Sequence, residues 1–220
     1  MFERKTVGVE DLSWLREISD KTVTENLRKR FEKDIIYTRV KGSICVCVNP
    51  FKDIRGLYSE EAFYRHRDAS PIGTPTHLYT FAEQMWSGIS NHNNDQAIIF
   101  CGESGSGKTV NARHTIEYLR RAATPNKSKE SEKKNEILQT FQDLLESFGN
   151  ARTERNYNSS RFGKILELTI NGQNQIVGSR ITPIMLEKSR LTNLPMKDRN
   201  FHIFYGMMKD KEKYTSDLLQ

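Results

Sequence analysis

Cysteine is scarce in this 220-residue chain: there are three, Cys45, Cys47 and Cys101. That is too few for a disulfide framework, and a bridge between Cys45 and Cys47, at i and i+2 of one apolar run, would distort the backbone. Reduced thiols in an intracellular protein are the expectation. Long apolar runs are also missing. None approaches the roughly 18 residues of a membrane span, so no transmembrane segment is expected. The start, MFERKTVGVEDL, has neither an apolar h-region nor a small-residue cleavage site, so no secretion is expected either. No repeat recurs at solenoid periods. The five histidines, His66, His77, His92, His114 and His202, show no metal-ligand spacing, and packed or exposed rings are expected instead.

What is present begins with charge. Lys and Arg number 34 against 28 Asp and Glu, a net charge of +6. A mild basic excess suits an anionic partner: nucleotide phosphates, nucleic acid, an acidic filament or a membrane surface. The run Arg28-Lys29-Arg30 reads as a solvated helix face, because no aromatic residues interleave with it, and no nucleic-acid partner is expected. The length suits one large domain or two small ones, with enough chain to bury a core unaided.

Strand and helix patterns alternate. Val23, Leu27 and Phe31 recur at i+4 in a helix starting near Ser19 or Asp20. IIYTRV and GSICVCVNP follow as strands, the second apolar on both faces as a central strand would be. Pro75 and Thr76 introduce a helix with Leu78, Phe81, Ala82, Met85 and Ile89 in one stripe. QAIIF reads as a buried strand, then comes a glycine-rich turn and a helix to about Arg121. Residues 124–136, TPNKSKESEKKNE, read as a flexible surface loop. Ile137, Phe141, Leu144, Leu145 and Phe148 then form an amphipathic helix with Gly149 as its C′ stop. KILELTIN turns through Asn171-Gly172 into QIVGSRIT; IMLEKSR reads as a further strand and RNFHIFYGMM as a helix. Alternation of this kind around a glycine loop points to an α/β domain with a mostly parallel central sheet flanked by helices.

One motif carries chemistry. Gly102-Glu103-Ser104-Gly105-Ser106-Gly107-Lys108-Thr109 fits G-x-x-x-x-G-K-[ST] without mismatch, after a buried-type strand and before an amphipathic helix. Glycines let the backbone turn its N–H groups inward around phosphate oxygens, with no Cβ in the way. The helix that follows points its positive N-terminus at the same anion. In such a loop Lys108 reaches the β- and γ-phosphates and the Thr109 hydroxyl ligates Mg²⁺. A P-loop NTPase fold is therefore expected.

The polar stretch after residue 149 narrows the reading. LLESFGNARTERNYNSSRFGK resembles the switch I region of the myosin motor domain, whose signature is N-x-N-S-S-R-F-G-K. VNPFKDIRGLY resembles the myosin purine-binding loop, MLEKSRL the L-E-K-S-R strand and RNFHIFYGMM the R-N-[FY]-H-I-F-Y helix; GESGSGKT is close to G-E-S-G-A-G-K-T. The resemblance runs from about Asp11 to Met208. It implies an actin-activated Mg-ATPase using ATP and Mg²⁺, cytoplasmic and associated with the cytoskeleton, with the actin filament and the remainder of the motor head as partners. By the same resemblance, Asn49 and Tyr58 hold the adenine side while Pro50 and Lys52 shape that loop. Gly102 to Thr109 cradle the phosphates and Asn156 contacts phosphate. Ser159 helps position the attacking water, Ser160 joins Thr109 on Mg²⁺, and Arg161 pairs with a switch II glutamate.

Some positions depart from the family. Cys101 stands where Thr is usual, Val110 where Glu often follows, and Gln142-Asp143 where Asn-Pro is frequent. The switch II segment, D-I-x-G-F-E, does not occur, so residues 1–220 are expected to be the N-terminal part of a motor head, cut before switch II and without an acidic partner for Arg161. A second reading stays open, a short non-catalytic nucleotide-binding module derived from such a head.

Overall fold

The computed structural model describes residues 7–70, 73–123 and 129–209. The chain divides into two compact units, Met1–Ala123 and Thr124–Gln220.

The first unit opens with a short 3-10 helix, Leu12–Trp14, and helix α1, Asp20–Phe31. Ser19 caps α1 by accepting from the Thr22 N–H, and Thr22 reciprocates at the Ser19 N–H. Strands β1 (Tyr37–Val40) and β2 (Ile44–Cys47) pair antiparallel with Tyr37 opposite Cys47. Helices α2 (Glu60–His66), α3 (Leu78–His92) and α4 (Lys108–Ala123) complete the unit. Ile36, Tyr37 and Leu78 form a buried nucleus with Phe31, Ile54, Leu57, Tyr58 and Phe100 against it. The expected stripe of α3 is broader than its apolar positions. Glu83 is buried too, accepting from Arg67 Nη1 at 2.9 Å and from the Tyr118 hydroxyl at 2.7 Å. A buried carboxylate persists when its lone pairs are filled in this way.

The Arg28-Lys29-Arg30 face is solvated only in part. Arg28 and Lys29 are exposed and pair with Glu32 and Glu25 one turn away. Arg30, in contrast, is buried and donates to Thr38 Oγ1 and the Tyr37 carbonyl, both at 2.9 Å. It shares the inward face of α1 with Asn26, whose amide exchanges two hydrogen bonds with Val9.

In the second unit α5 runs Lys129–Gly149, followed by β3 (Asn150–Ala151), β4 (Ser159–Ser160), β5 (Gly163–Ile170), β6 (Ile176–Ile184), a 3-10 turn Lys188–Leu191 and α6 (His202–Lys209). Residues 129–136 of the expected surface loop are therefore helical, and 124–128 lie outside the described residues. The stripe of α5 is not the face that is covered. Phe141, Leu144 and Phe148 stay about half exposed while Gln142 and Glu146 are buried. Gly149 is the last helical residue, not a left-handed C′ cap. Its missing Cβ leaves room for the Phe162 ring, which lies where that atom would stand.

The expected mostly parallel central sheet is not found among the described residues, which form three two-stranded antiparallel sheets. QAIIF and the Met185–Glu187 part of IMLEKSR join no ladder; Met185 takes a positive φ of 51°, and Ile99 is exposed. A strand exists by pairing, so an apolar run without a ladder partner stays outside regular structure. The hairpin β5–β6 does form, with Ile170 opposite Ile176. Its turn, however, spans residues 171–175 and takes its positive φ (58°) at Asn174, with Asn171 N–H bonded to the Gln175 carbonyl. The Asn171 side chain accepts from the Gln173 and Gln175 N–H groups, which favours this wider turn over a two-residue one.

Candidate functional site

The Gly102–Thr109 loop is built by its glycines. Gly102, Gly105 and Gly107 have φ of 136°, 83° and 94°, values that side chains rarely adopt. A Cβ on Gly102 would stand 2.8 Å from Ser106 Oγ, which is buried and has no hydrogen-bond partner. Lys108 Nζ folds back over the loop and donates to the Gly102 and Glu103 carbonyls at 2.8 and 2.7 Å. Thr109 is half-buried in the first turn of α4; Glu103 and Ser104 are exposed. A concave backbone, an ammonium at its rim and an orphaned hydroxyl inside fit a bound polyphosphate.

The 49–58 segment closes on this loop. Asn49 Nδ2 donates to the Gly105 carbonyl at 2.7 Å and its Oδ1 accepts from the Phe51 N–H. The Asn49 amide is thus committed to shaping the phosphate loop. Pro50 follows it, and Lys52 is tied to Asp34 at 2.6 Å on the surface. Tyr58 stacks on His114 with ring centroids 3.5 Å apart, and its hydroxyl bonds the Tyr37 hydroxyl. Tyr37 donates to Asn111 Oδ1 at 2.7 Å, and Asn111 Nδ2 donates back to the Gly107 carbonyl at 3.0 Å. Sequence reading missed Tyr37 and Asn111. A spacing signal existed for the second, since Asn111 is four residues beyond Gly107 and returns to its carbonyl across one helical turn.

His66 and His77 are packed rings in this same cluster, stacked with centroids 4.7 Å apart. His77 Nδ1 caps α3 by accepting from the Tyr79 N–H at 3.0 Å. Burial, with His66 alongside, pushes His77 down to about 3. No group of three or more His, Cys, Asp or Glu among the described residues could hold a metal ion. Cys45, Cys47 and Cys101 are free thiols, and burial pushes Cys45 up to about 12.

The second unit carries the 156–161 residues on the β3–β4 hairpin. Asn150 pairs with Ser160 and Ala151 with Ser159, so residues 152–158 form its loop. Asn156 stabilises that loop, its carbonyl accepting from the Thr153 N–H and its Oδ1 from the Asn158 N–H. Ser159 is fully buried and accepts from Arg161 Nη1 at 3.2 Å; Ser160 is exposed. Arg161 does have an acidic partner within the chain, contrary to expectation. Its Nε donates to Glu187 Oε2 at 2.6 Å.

Glu187 is shared. Arg190, buried at 2% exposure, donates to Glu187 at 2.8 Å, to Asp198 at 3.0 Å and to the Arg199 carbonyl at 2.9 Å. The Arg161 hydrogen bond, and then Arg190, hold the Glu187 carboxyl below its ordinary value. L-E-K-S-R was visible in the sequence, but its role as a latch on Arg161 was not.

A glycine-turned loop feeding a helix N-terminus, with a lysine across its mouth, defines the class as a P-loop nucleoside-triphosphate fold. The pattern of the family Myosin head (motor domain) matches residues 9–220, and the chain belongs to that family. It is 42% identical over 207 residues to the myosin IC heavy chain of Dictyostelium discoideum, covering 92% of this chain and 17% of that protein. It is 41% identical over 216 residues to Myosin-1 of Aspergillus terreus, covering 98% and 17%. Against Myosin-1 of Emericella nidulans it is 41% identical over 207 residues, covering 94% and 16%. The chain thus spans about a sixth of the length of these relatives. No helix among the described residues is long and apolar enough to cross a membrane.

Proposed function

We propose that this chain is the ATP-binding N-terminal part of a myosin motor, an actin-activated Mg-ATPase of the cytoskeleton. The observation that carries the reading is the Gly102–Thr109 loop, with three left-handed glycines and Lys108 poised on its rim. The backbone N–H groups of Gly105 to Thr109 bind phosphate oxygens, and Lys108 exchanges two loop carbonyls for the β- and γ-phosphates. Mg²⁺, when bound, neutralises phosphate charge and orients the γ-phosphoryl group. In this reading the Thr109 and Ser160 hydroxyls would hold that ion and Asn156 would contact phosphate. Tyr58, stacked on His114, offers an aromatic wall to the adenine side, with Asn49, Pro50 and Lys52 shaping the loop beside it.

For hydrolysis, Ser159 orients water and Arg161 holds the Ser159 hydroxyl, itself steadied by Glu187. Phosphoryl transfer asks mainly for such positioning and charge neutralisation. The family membership supports reading the actin filament and the remainder of the motor head as partners, and the cytoplasm as the location, of this chain.

The test is titration calorimetry of the purified chain with ATP in Mg²⁺. Saturable binding is expected, weakened at least about tenfold by Lys108→Ala, which removes a charge-assisted contact. Turnover at motor rates is not expected from these 220 residues. Absence of binding, or equal binding by the variant, would overturn the reading.

A further inference from the structure

The contacts between Gly107 and Tyr58 form a hydrogen-bond chain whose direction can be worked out. Asn111 Nδ2 faces two acceptors, the Gly107 carbonyl at 3.0 Å and Cys47 Sγ at 3.4 Å. Flipping the amide would set oxygen against the Gly107 oxygen, so Oδ1 must face Tyr37. An amide oxygen only accepts, hence the Tyr37 hydroxyl donates to it, at 2.7 Å. Tyr37 has then spent its one proton, and its bond with the Tyr58 hydroxyl can only be filled by the Tyr58 proton. The Tyr58 oxygen is left with lone pairs alone. Stacking on His114, with planes 16° apart, fixes the phenol ring, so only the O–H torsion was free to choose, and this chain chooses it.

We propose that Asn111 and Tyr37 are specificity-determining positioning residues: they fix the Tyr58 hydroxyl as a hydrogen-bond acceptor, selecting a 6-aminopurine over a 6-oxopurine nucleotide. This rests on the reading that Tyr58 lines the base side of a nucleoside-triphosphate site. An amino group at C6 donates to the waiting oxygen. A carbonyl there meets lone pairs with lone pairs and leaves both groups unpaired. Burial keeps both phenols protonated, pushing Tyr58 up to about 12 and Tyr37 higher still, so the chain of donors survives across neutral pH.

The experiment measures Kd of the whole chain in Mg²⁺ for three probes: ATP, inosine triphosphate and inorganic tripolyphosphate. Inosine triphosphate replaces the C6 amino group by a carbonyl and carries a proton on the adjacent ring nitrogen. Tripolyphosphate has no base, so any general loss at the phosphate loop is divided out. The unaltered chain is expected to favour ATP over inosine triphosphate by about tenfold. Tyr37→Phe frees the Tyr58 proton to donate outward, and the ratio is expected to fall to within about twofold.

Asn111→Leu, close in volume, lets Tyr37 donate toward Tyr58 and is expected to reduce the ratio likewise; it serves where Tyr37→Phe does not melt cooperatively. An unchanged ratio in either folded variant overturns the proposal, as does equal loss for all three probes. Nucleotides that bind without preference to the unaltered chain overturn the proposal alone. Failure of all three probes to bind overturns the nucleotide reading with it.

Discussion

The loop at 102–109 and the loop at 152–161 are secured by different forces. Apart from the Lys108 ammonium on the Gly102 and Glu103 carbonyls, the first is held by neutral hydrogen bonds, Asn49 to Gly105 and Asn111 to Gly107, and by glycine φ values that set the curve before any side chain acts. The second is held by charge, with Arg161 and Arg190 sharing Glu187 and Asp198 completing the set. A neutral frame keeps its shape when an anion arrives or leaves. An ion-paired latch can trade one partner for another, because Arg161 and Glu187 are each about 30% exposed and water can replace either bond. Rigidity in the cradle and exchangeable contacts in the second unit's loop suit the proposed nucleotide-binding role.

Three measurements press on this contrast. The largest effect is expected from Arg190→Met, which strips a buried guanidinium from two carboxylates and a carbonyl. It should cost about 3 kcal/mol in urea unfolding. A loss below about 1 kcal/mol would show that the charge network is not what secures the second loop.

The next concerns acid and the first unit. His77, among His66, Tyr37, Tyr58 and Tyr79 and with His114 and Arg65 nearby, titrates at about 3 when folded and near 6.5 when unfolded. Between those values the unfolded chain binds the extra proton. Stability therefore falls as pH drops below about 6.5, by at most about 1.4 kcal/mol per unit from this group. His77→Asn keeps an acceptor for the Tyr79 N–H and loses the titration. Urea midpoints from pH 7 to 5 should flatten in the variant; parallel curves would exclude His77 as the source.

The smallest effects separate two glycines. Gly102→Ala combines a φ of 136° with a contact to Ser106 Oγ and should cost about 2 kcal/mol. Gly172→Ala has open space and no positive φ, so it should fall within about 0.5 kcal/mol of neutral. Equal melting temperatures for the two variants would contradict the view that backbone strain shapes the phosphate loop.

Much was legible because it is local. The Ser19 cap, the α4 helix after Lys108 and the antiparallel partner of KILELTIN all depend on residues a few positions apart. The phosphate loop was legible for the same reason: glycine spacing and a following helix suffice to turn N–H groups toward an anion. Expectations failed where the outcome depended on a distant partner. QAIIF and Met185–Glu187 carry strand composition, yet neither joins a ladder among the described residues; the Glu187 N–H donates to the Arg161 carbonyl. Arg30 belongs to a basic run, yet it is buried because Thr38 and the Tyr37 carbonyl lie opposite it. Gly149 looked like a helix stop, and its reason is the Phe162 ring.

By itself the sequence determined the phosphate loop, the order of its five family motifs and hence the family. These are contiguous patterns whose chemistry is written in residue type and spacing. Only the tertiary structure decided which groups those residues answer to. Glu187 meets Arg161 from 26 positions away, and Asn111 meets Tyr37 from 74. Such pairings depend on how elements far apart in the chain are brought within hydrogen-bond distance, and no local period or propensity encodes that.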